Sequence, residues 1–249
     1  FRLAIVAEDR WGNVTDKANR RIVLKSTRPI AGLPESIHLK PGEGPVTINA
    51  LTVAAPHDIW IDLQDEDGNQ IGRSNPLRIV SEATELPYWG DIHGQSGETV
   101  GTGTAAEYFA FARDKAFLDI TGHQANDFQV DDAFWAEINR LAAAYDKPGE
   151  MVALPGYEWS GNTGVGGDRN VFFATEGRTI RRSSSVLLES PQDTDVHHVK
   201  DLFKALEGEE AIVIAHVGGR YANLEQGHDG RIERAVEIHV GVVAAGQEH

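Results

Sequence analysis

Tyr88-Trp89-Gly90-Asp91-Ile92-His93-Gly94-Gln95-Ser96 decides how the rest of the chain is read, because an apolar run halts at an Asp, a His and a Gln spaced one residue apart. On an extended strand alternate side chains share a face, so His93 and Gln95 project together and can reach one ion. Taken alone, an Asp-x-His of this kind is a common turn. Its weight comes from the apolar runs downstream. Residues 117–121 lead to Gly122-His123, and residues 151–154 lead through Pro155-Gly156-Tyr157 to Glu158. Residues 211–215 stop at His216, 235–238 stop at His239, and 241–245 lead to Gln247 and His249.

Amphipathic helices are expected between these runs. Thr104-Ala105-Ala106-Glu107 reads as a capping box opening a helix to about residue 116. Asp131 opens a second, with Phe134, Trp135, Ile138, Leu141 and Tyr145 on one stripe until Pro148-Gly149. Thr194 opens a third, carrying Val196, Val199, Leu202, Phe203 and Leu206 and ending at Gly208. Strands alternating with helices predict an α/β fold with a parallel sheet or barrel, in which the C-terminal strand ends converge on one rim.

Upstream the pattern differs. Residues 2–8, 20–26, 36–40, 46–54, 58–64 and 77–80 read as short strands separated by turns, a small all-β, sandwich-like domain over residues 1–85. Asp9-Arg10-Trp11-Gly12-Asn13 and Asp65-Glu66-Asp67-Gly68-Asn69 are hairpin turns; the second lacks the downstream Glu of a calcium loop. Trp11 and Trp60 read as core aromatics in preference to a sugar platform. Polar residues 81–87, ending in Pro87, separate this region from an α/β domain over 86–249. Because Phe1-Arg2-Leu3-Ala4-Ile5 already alternates like a strand, the first domain is expected to be truncated at its N-terminus.

Of the formal charge of −15, residues 1–87 contribute 10 basic and 12 acidic side chains, and residues 88–249 contribute 13 and 26. An acidic second region disfavours nucleic acid and anionic membrane as partners, since both demand clustered Lys and Arg. It suits cations. Eight of ten histidines also fall there and the chain has no cysteine, so imidazole and carboxylate ligands for Zn, Mn or Fe are expected. No run of about 18 apolar residues occurs, and the sequence leaves localisation open. His38 and His57 belong to the β region, His197 and His198 read as helix-surface residues, and His228 lies in a polar turn. His239 stays ambiguous.

As a set, Trp89-Gly90-Asp91-Ile92-His93, Thr121-Gly122-His123, Pro155-Gly156-Tyr157-Glu158-Trp159-Ser160, Gly167-Asp168-Arg169-Asn170, Ala215-His216 and Val236-Glu237-Ile238-His239 resemble the PHP (polymerase and histidinol phosphatase) superfamily. The likeness is greatest to a bacterial branch with an N-terminal β domain. The resemblance implies a distorted (β/α)7 barrel whose rim holds up to three divalent ions that activate water against a phosphate ester. It makes His93, Gln95, His123, Glu158, Asp168, His216, Gln247 and His249 the candidate metal positions, with Glu158 bridging. Asp91 becomes a candidate partner orienting a ligand imidazole, and Arg169 and Arg220 candidate phosphate clamps. The chain departs from the pattern at Gln95 and Asp168, where His is usual, and at Gly122 and Gln247, where Asp is usual. Fewer charged ligands imply one or two ions, or a barrel that binds without catalysis. The run 236–243 lacks the helix that a parallel connection requires, and the chain stops before such a barrel would close.

The primary expectation is a metal-dependent phosphoesterase acting on a small phosphorylated substrate, with homo-oligomerisation open. The alternatives are a lapsed barrel serving as an interaction module, and an amide or ester hydrolase using the same ions.

Overall fold

The computed structural model describes residues 1–189 and 194–238. It divides into two compact units, Phe1–Pro87 and Tyr88–His249. In the first, Ser36–Leu39, Arg20–Ser26, Ile61–Gln64 and Gln70–Arg73 form an antiparallel sheet in that order. Three two-stranded antiparallel pairs accompany it: Leu3–Ile5 with Val46–Ile48, Ala7–Glu8 with Val14–Thr15, and Asp58–Ile59 with Leu77–Arg78. Alternation drives the packing. Ile22 and Leu24 are buried with Leu3, Ile5, Leu39, Leu51 and Ile61, while Arg21 and Lys25 face outward. Both expected turns close on an Asp side chain, Asp9 accepting from the backbone of Trp11 and Asn13, and Asp65 from that of Asp67 and Asn69. Trp11, expected in the core, stands at its hairpin tip 71% exposed, with the Arg10 guanidinium 3.9 Å from its ring centroid.

The second unit begins with a parallel sheet of Gly90–Gly94, Ile120–His123 and Val152–Leu154. Helices α1 (Ala105–Asp114) and α2 (Asp132–Tyr145) lie in its two crossovers. The Thr104–Glu107 capping box forms at α1, and the Asp131 side chain caps α2. Ala105, Phe109 and Ala112 of α1 pack with Leu141 and Ala142 of α2 against Met151 and Ala153. Helix α3 (Val199–Ala205) starts later than the expected Thr194, with His198 as its N-cap. Its upstream backbone is engaged elsewhere: Val196 donates to the Arg182 carbonyl at 2.7 Å and its carbonyl accepts from Trp159 Nε1 at 3.0 Å.

The second sheet corrects the fold expectation. Gly156–Trp159, Arg169–Phe173, Ala211–Ala215 and Glu233–Val236 lie side by side, but the first three are successively antiparallel and only the last pair is parallel. With three α-helices and no closed barrel among the described residues, the unit is not a (β/α)7 barrel. The first reversal follows from the short link 160–168, which holds only a 3₁₀ turn at Thr163–Val165. A parallel crossover needs a dozen or more residues, so the chain returns antiparallel.

That return separates two faces. Tyr157, Trp159, Val171, Phe173 and Val213 point into a core completed by Val199, Leu202, Phe203, Trp135 and Ile138. Each such large side chain, fully buried, contributes about 1.5–3 kcal/mol. Arg169 and Glu233 share this core face as an ion pair, Nε to Oε1 at 2.5 Å with side chains 0% and 1% exposed. Asp127 is buried as well, its carboxylate accepting from the Ser183 backbone and, at 3.0 Å, from the Ser183 hydroxyl.

Removing one member of a buried pair strands the other charge. Glu233→Ala is therefore expected to lose about 3–5 kcal/mol of stability in urea unfolding; a loss under about 1 kcal/mol, the value of an exposed pair, would reject the burial. Asp127 supplies a pH signature. Burial pushes its carboxyl up to about 7 against the opposing hydrogen bonds. Between the ordinary carboxyl range near pH 4 and about 7 the folded state keeps a proton that the unfolded chain has lost, so stability falls as pH rises through that window. The decline should be shallower in Asp127→Asn, and parallel pH profiles for the two proteins would reject the assignment.

Candidate metal centre

On the face opposite the core, sheet register assembles a polar cluster. Glu158 pairs with Asn170 across the antiparallel ladder, and Ala215 with Val236 across the parallel one. His216 and Glu237 are the next residues along, so they leave adjacent strands at one level. Asp168 joins them through its carbonyl, which accepts from the His216 backbone at 3.2 Å. This approach depends on Gly167, whose φ of +76° is left-handed and whose added Cβ would collide with the Tyr221 carbonyl oxygen.

His93 arrives from the other sheet. After the Ile120–His123 strand, Asn126 forms a parallel bridge with Glu158, which sets the two sheets' ends together. Gly94, immediately after His93, is where Tyr108 crosses the strand; a Cβ there would run into the ring.

His93, Glu158 and His216 each offer a ligand atom, all within 4.8 Å of one another. His93 Nε2 lies 3.2 Å from His216 Nε2 and 3.7 Å from Glu158 Oε2. On its far side His93 Nδ1 is 2.8 Å from Glu237 Oε1, which also accepts from Asn170 Nδ2 at 2.7 Å. In the neutral ring, Nδ1–H donating to Glu237 would turn the Nε2 lone pair to the cluster, the carboxylate–histidine arrangement that fixes metal-binding imidazoles. His216 Nδ1 accepts from the Gly218 backbone at 2.6 Å. The two Nε2 atoms face each other at 3.2 Å, close enough for one cation to take a lone pair from each once His93 is neutral.

Charge is crowded. Burial works against charging His93, but Glu158 and Glu237 outweigh it and push the ring up to about 9. Burial pushes His216 down. Burial, then the Glu158 carboxylate, push Asp168 up, with Arg220 opposing. Arg220 Nε lies 3.2 Å from Asp168 Oδ1 without hydrogen-bond geometry, and that oxygen and Glu237 Oε2 are buried with no hydrogen bond. Buried acceptor oxygens beside two imidazoles are what a divalent cation satisfies, and the donor set suits Zn, Mn or Fe. The residues fit such an ion.

The other expected residues lie elsewhere or act differently. Gln95 turns its amide nitrogen to Glu158 Oε2 at 3.3 Å while its carbonyl accepts from Thr99 at 2.8 Å, so it orients Glu158. Asp91 accepts from the His93 backbone, not its ring, at 3.0 Å. His123 Nε2 meets Ser96 Oγ at 2.8 Å, outside the three-residue group, and burial pushes the ring down to about 4. Arg169 is consumed by Glu233 and by the carbonyls of Gly166, Gly167 and Asp168, leaving it no role as a phosphate clamp. His228, expected in a turn, bonds the second oxygen of Glu233. Gln247, His249 and His239 lie outside the described residues. Glu237 and Asn170, which touch the His93 ring, are residues of this cluster that the sequence does not single out. The signal for Glu237 is present, since it follows a strand parallel to the one ending at His216; Asn170 needs the ladder register.

A mixed sheet ending in a two-histidine, one-carboxylate cluster defines a candidate metal-binding protein. The chain belongs to the family described as "Protein of unknown function (DUF3604)", which matches residues 74–228. It is 21% identical over 183 residues to an uncharacterized protein of Chlamydia pneumoniae, covering 72% of this chain and 29% of that one. It is 22% identical over 186 residues to an uncharacterized protein of Chlamydia trachomatis, with the same coverage, 72% and 29%. The chain thus spans about 29% of the length of these relatives. No solved structure matches it.

Removing the carboxylate behind a ligand imidazole typically weakens metal binding about 10–100-fold. Glu237→Ala should show this loss for Zn(II) or Mn(II) by calorimetry, whereas Asp91→Ala should leave affinity within about threefold; equal losses would reject the assignment of Glu237 to the ring.

Proposed function

We propose that this chain carries the metal centre of a hydrolase acting on phosphoesters, with one divalent ion held by His93, Glu158 and His216. The observation supporting it is the convergence of these three ligand atoms within 4.8 Å, backed by Glu237 on His93 Nδ1. Three protein ligands leave positions open for water and substrate, as catalytic sites require and closed structural sites do not. A bound divalent cation would supply Lewis acidity toward the ester oxygen.

The chain's own groups do the rest. Glu237 holds the His93 tautomer, and Gln95 holds the Glu158 carboxylate. Asp168 lies beside Glu158 and holds Arg220 at the edge of the cluster. Arg220 offers guanidinium donors to an anionic substrate, which favours a phosphoester over a neutral amide or carboxylic ester. The order of the motifs, which resembles the PHP superfamily, supports the reading; the barrel that the resemblance implied does not.

The test measures metal content and activity together. The chain should bind about one equivalent of Zn(II) or Mn(II), as its three-ligand set implies, and hydrolyse 4-nitrophenyl phosphate or bis(4-nitrophenyl) phosphate only when loaded. His93→Ala and His216→Ala should each lower metal affinity at least about tenfold and abolish turnover. Hydrolysis unchanged in chelator, or preference for 4-nitrophenyl acetate over both phosphoesters, would overturn the proposal.

A further inference from the structure

A cavity of about 390 Å³ opens beside the metal centre, within the size range of small-molecule sites. Its lining combines polar Arg220, His197 and Ser160 with apolar Phe128, Val186 and Leu187. No carboxylate is among the described residues that line it, in contrast to the acidic cluster next door. The two share a boundary. Ser160, two residues beyond Glu158, donates to the Glu158 carbonyl at 3.1 Å. Arg220 contacts Asp168 at 3.2 Å on one side and sits 5.4 Å from the Phe128 ring centroid on the other.

Two of the apolar residues are exposed, on a segment anchored at Ser183. Val186 and Leu187 are 81% and 73% exposed. Ser183, just before them, is held by Asp127, and its carbonyl accepts from His197 Nδ1 at 2.7 Å. A lining that sets one guanidinium next to apolar side chains matches a ligand with an anionic end and an apolar end.

We propose that this cavity is the pocket for the organic group of the substrate: an apolar, ring-sized group carried on an oxyanion. The oxyanion lies at Arg220 on the side of the metal centre, and the ring lies against Phe128, Val186 and Leu187. The orientation of the oxyanion rests on the proposed hydrolase reading, whereas the pairing of one cationic group with apolar side chains stands on the cavity's lining itself.

Phenylphosphonate and methylphosphonate, neither of them hydrolysable, separate the two ends by calorimetry on the chain in chelator. Burying the ring should make phenylphosphonate at least about tenfold tighter. Leu187→Asp alters an exposed side chain, so its fold should be retained, checked by circular dichroism. This variant and Phe128→Ala should each bring the two ligands within about twofold, while Arg220→Gln weakens both. Equal affinities in the unsubstituted chain, or a phenyl preference untouched by both Leu187→Asp and Phe128→Ala, would overturn the inference. A phenyl preference in a chain that binds no metal would sink the hydrolase reading and leave the pocket standing; metal-dependent turnover without the preference would do the reverse.

Discussion

The Arg169–Glu233 ion pair is the interaction on which the second unit depends. It joins the second and fourth strands of the sheet across the strand between them, inside an apolar core. A buried pair of this kind adds little net stability over well-packed apolar residues, yet breaking it is expensive. Its effect is to restrict the strands' arrangement. A one-residue slip would carry Arg169 to the opposite face and replace Asn170 and Asp168 with core side chains. The register that satisfies this pair is the same register that brings Glu158, Asp168, Asn170, His216 and Glu237 to one end of the other face.

The polar face then carries a conflict that the core does not. Three carboxylates and two imidazoles meet where solvent is scarce, and the protein responds by raising the proton affinity of His93 and Asp168 while burial lowers that of His216. Such opposed shifts in one cluster mark a candidate functional site. A cation would compensate the carboxylates together, which ordinary side-chain pairing does only in part. Arg220 stands at the boundary of this acidic cluster and the neighbouring cavity, with Asp168 on one side and Phe128 on the other.

Helix starts are legible wherever the controlling interaction is local. Thr104 and Glu107 satisfy each other's backbone within one turn, and the stripe of Trp135, Ile138 and Leu141 is a periodicity within a single element. The third helix starts later than its pattern predicts because Val196 is held by Arg182 and Trp159, both remote in sequence. The barrel expectation fails for a related reason. Apolar runs ending in polar residues say that strands exist but not which way they run: the 160–168 segment reads as a motif yet is too short for a parallel crossover, and Arg169–Phe173 and Ala211–Ala215 pair antiparallel across the much longer link 174–210.

Within the site, the sequence by itself determined the chemical types available and the strand ends that carry most of them: His93, Glu158 and His216 follow apolar runs where the polarity changes along the chain, while Asp168 enters only through the motif resemblance. Only the tertiary structure decided their roles. It gave the His93 ring to Glu237 instead of Asp91, set Gln95 to hold Glu158, took Arg169 into the core and left His123 with Ser96. The reason is that a ligand's partner is chosen by distances across strands far apart in sequence, which strand register and burial fix and one-dimensional spacing does not.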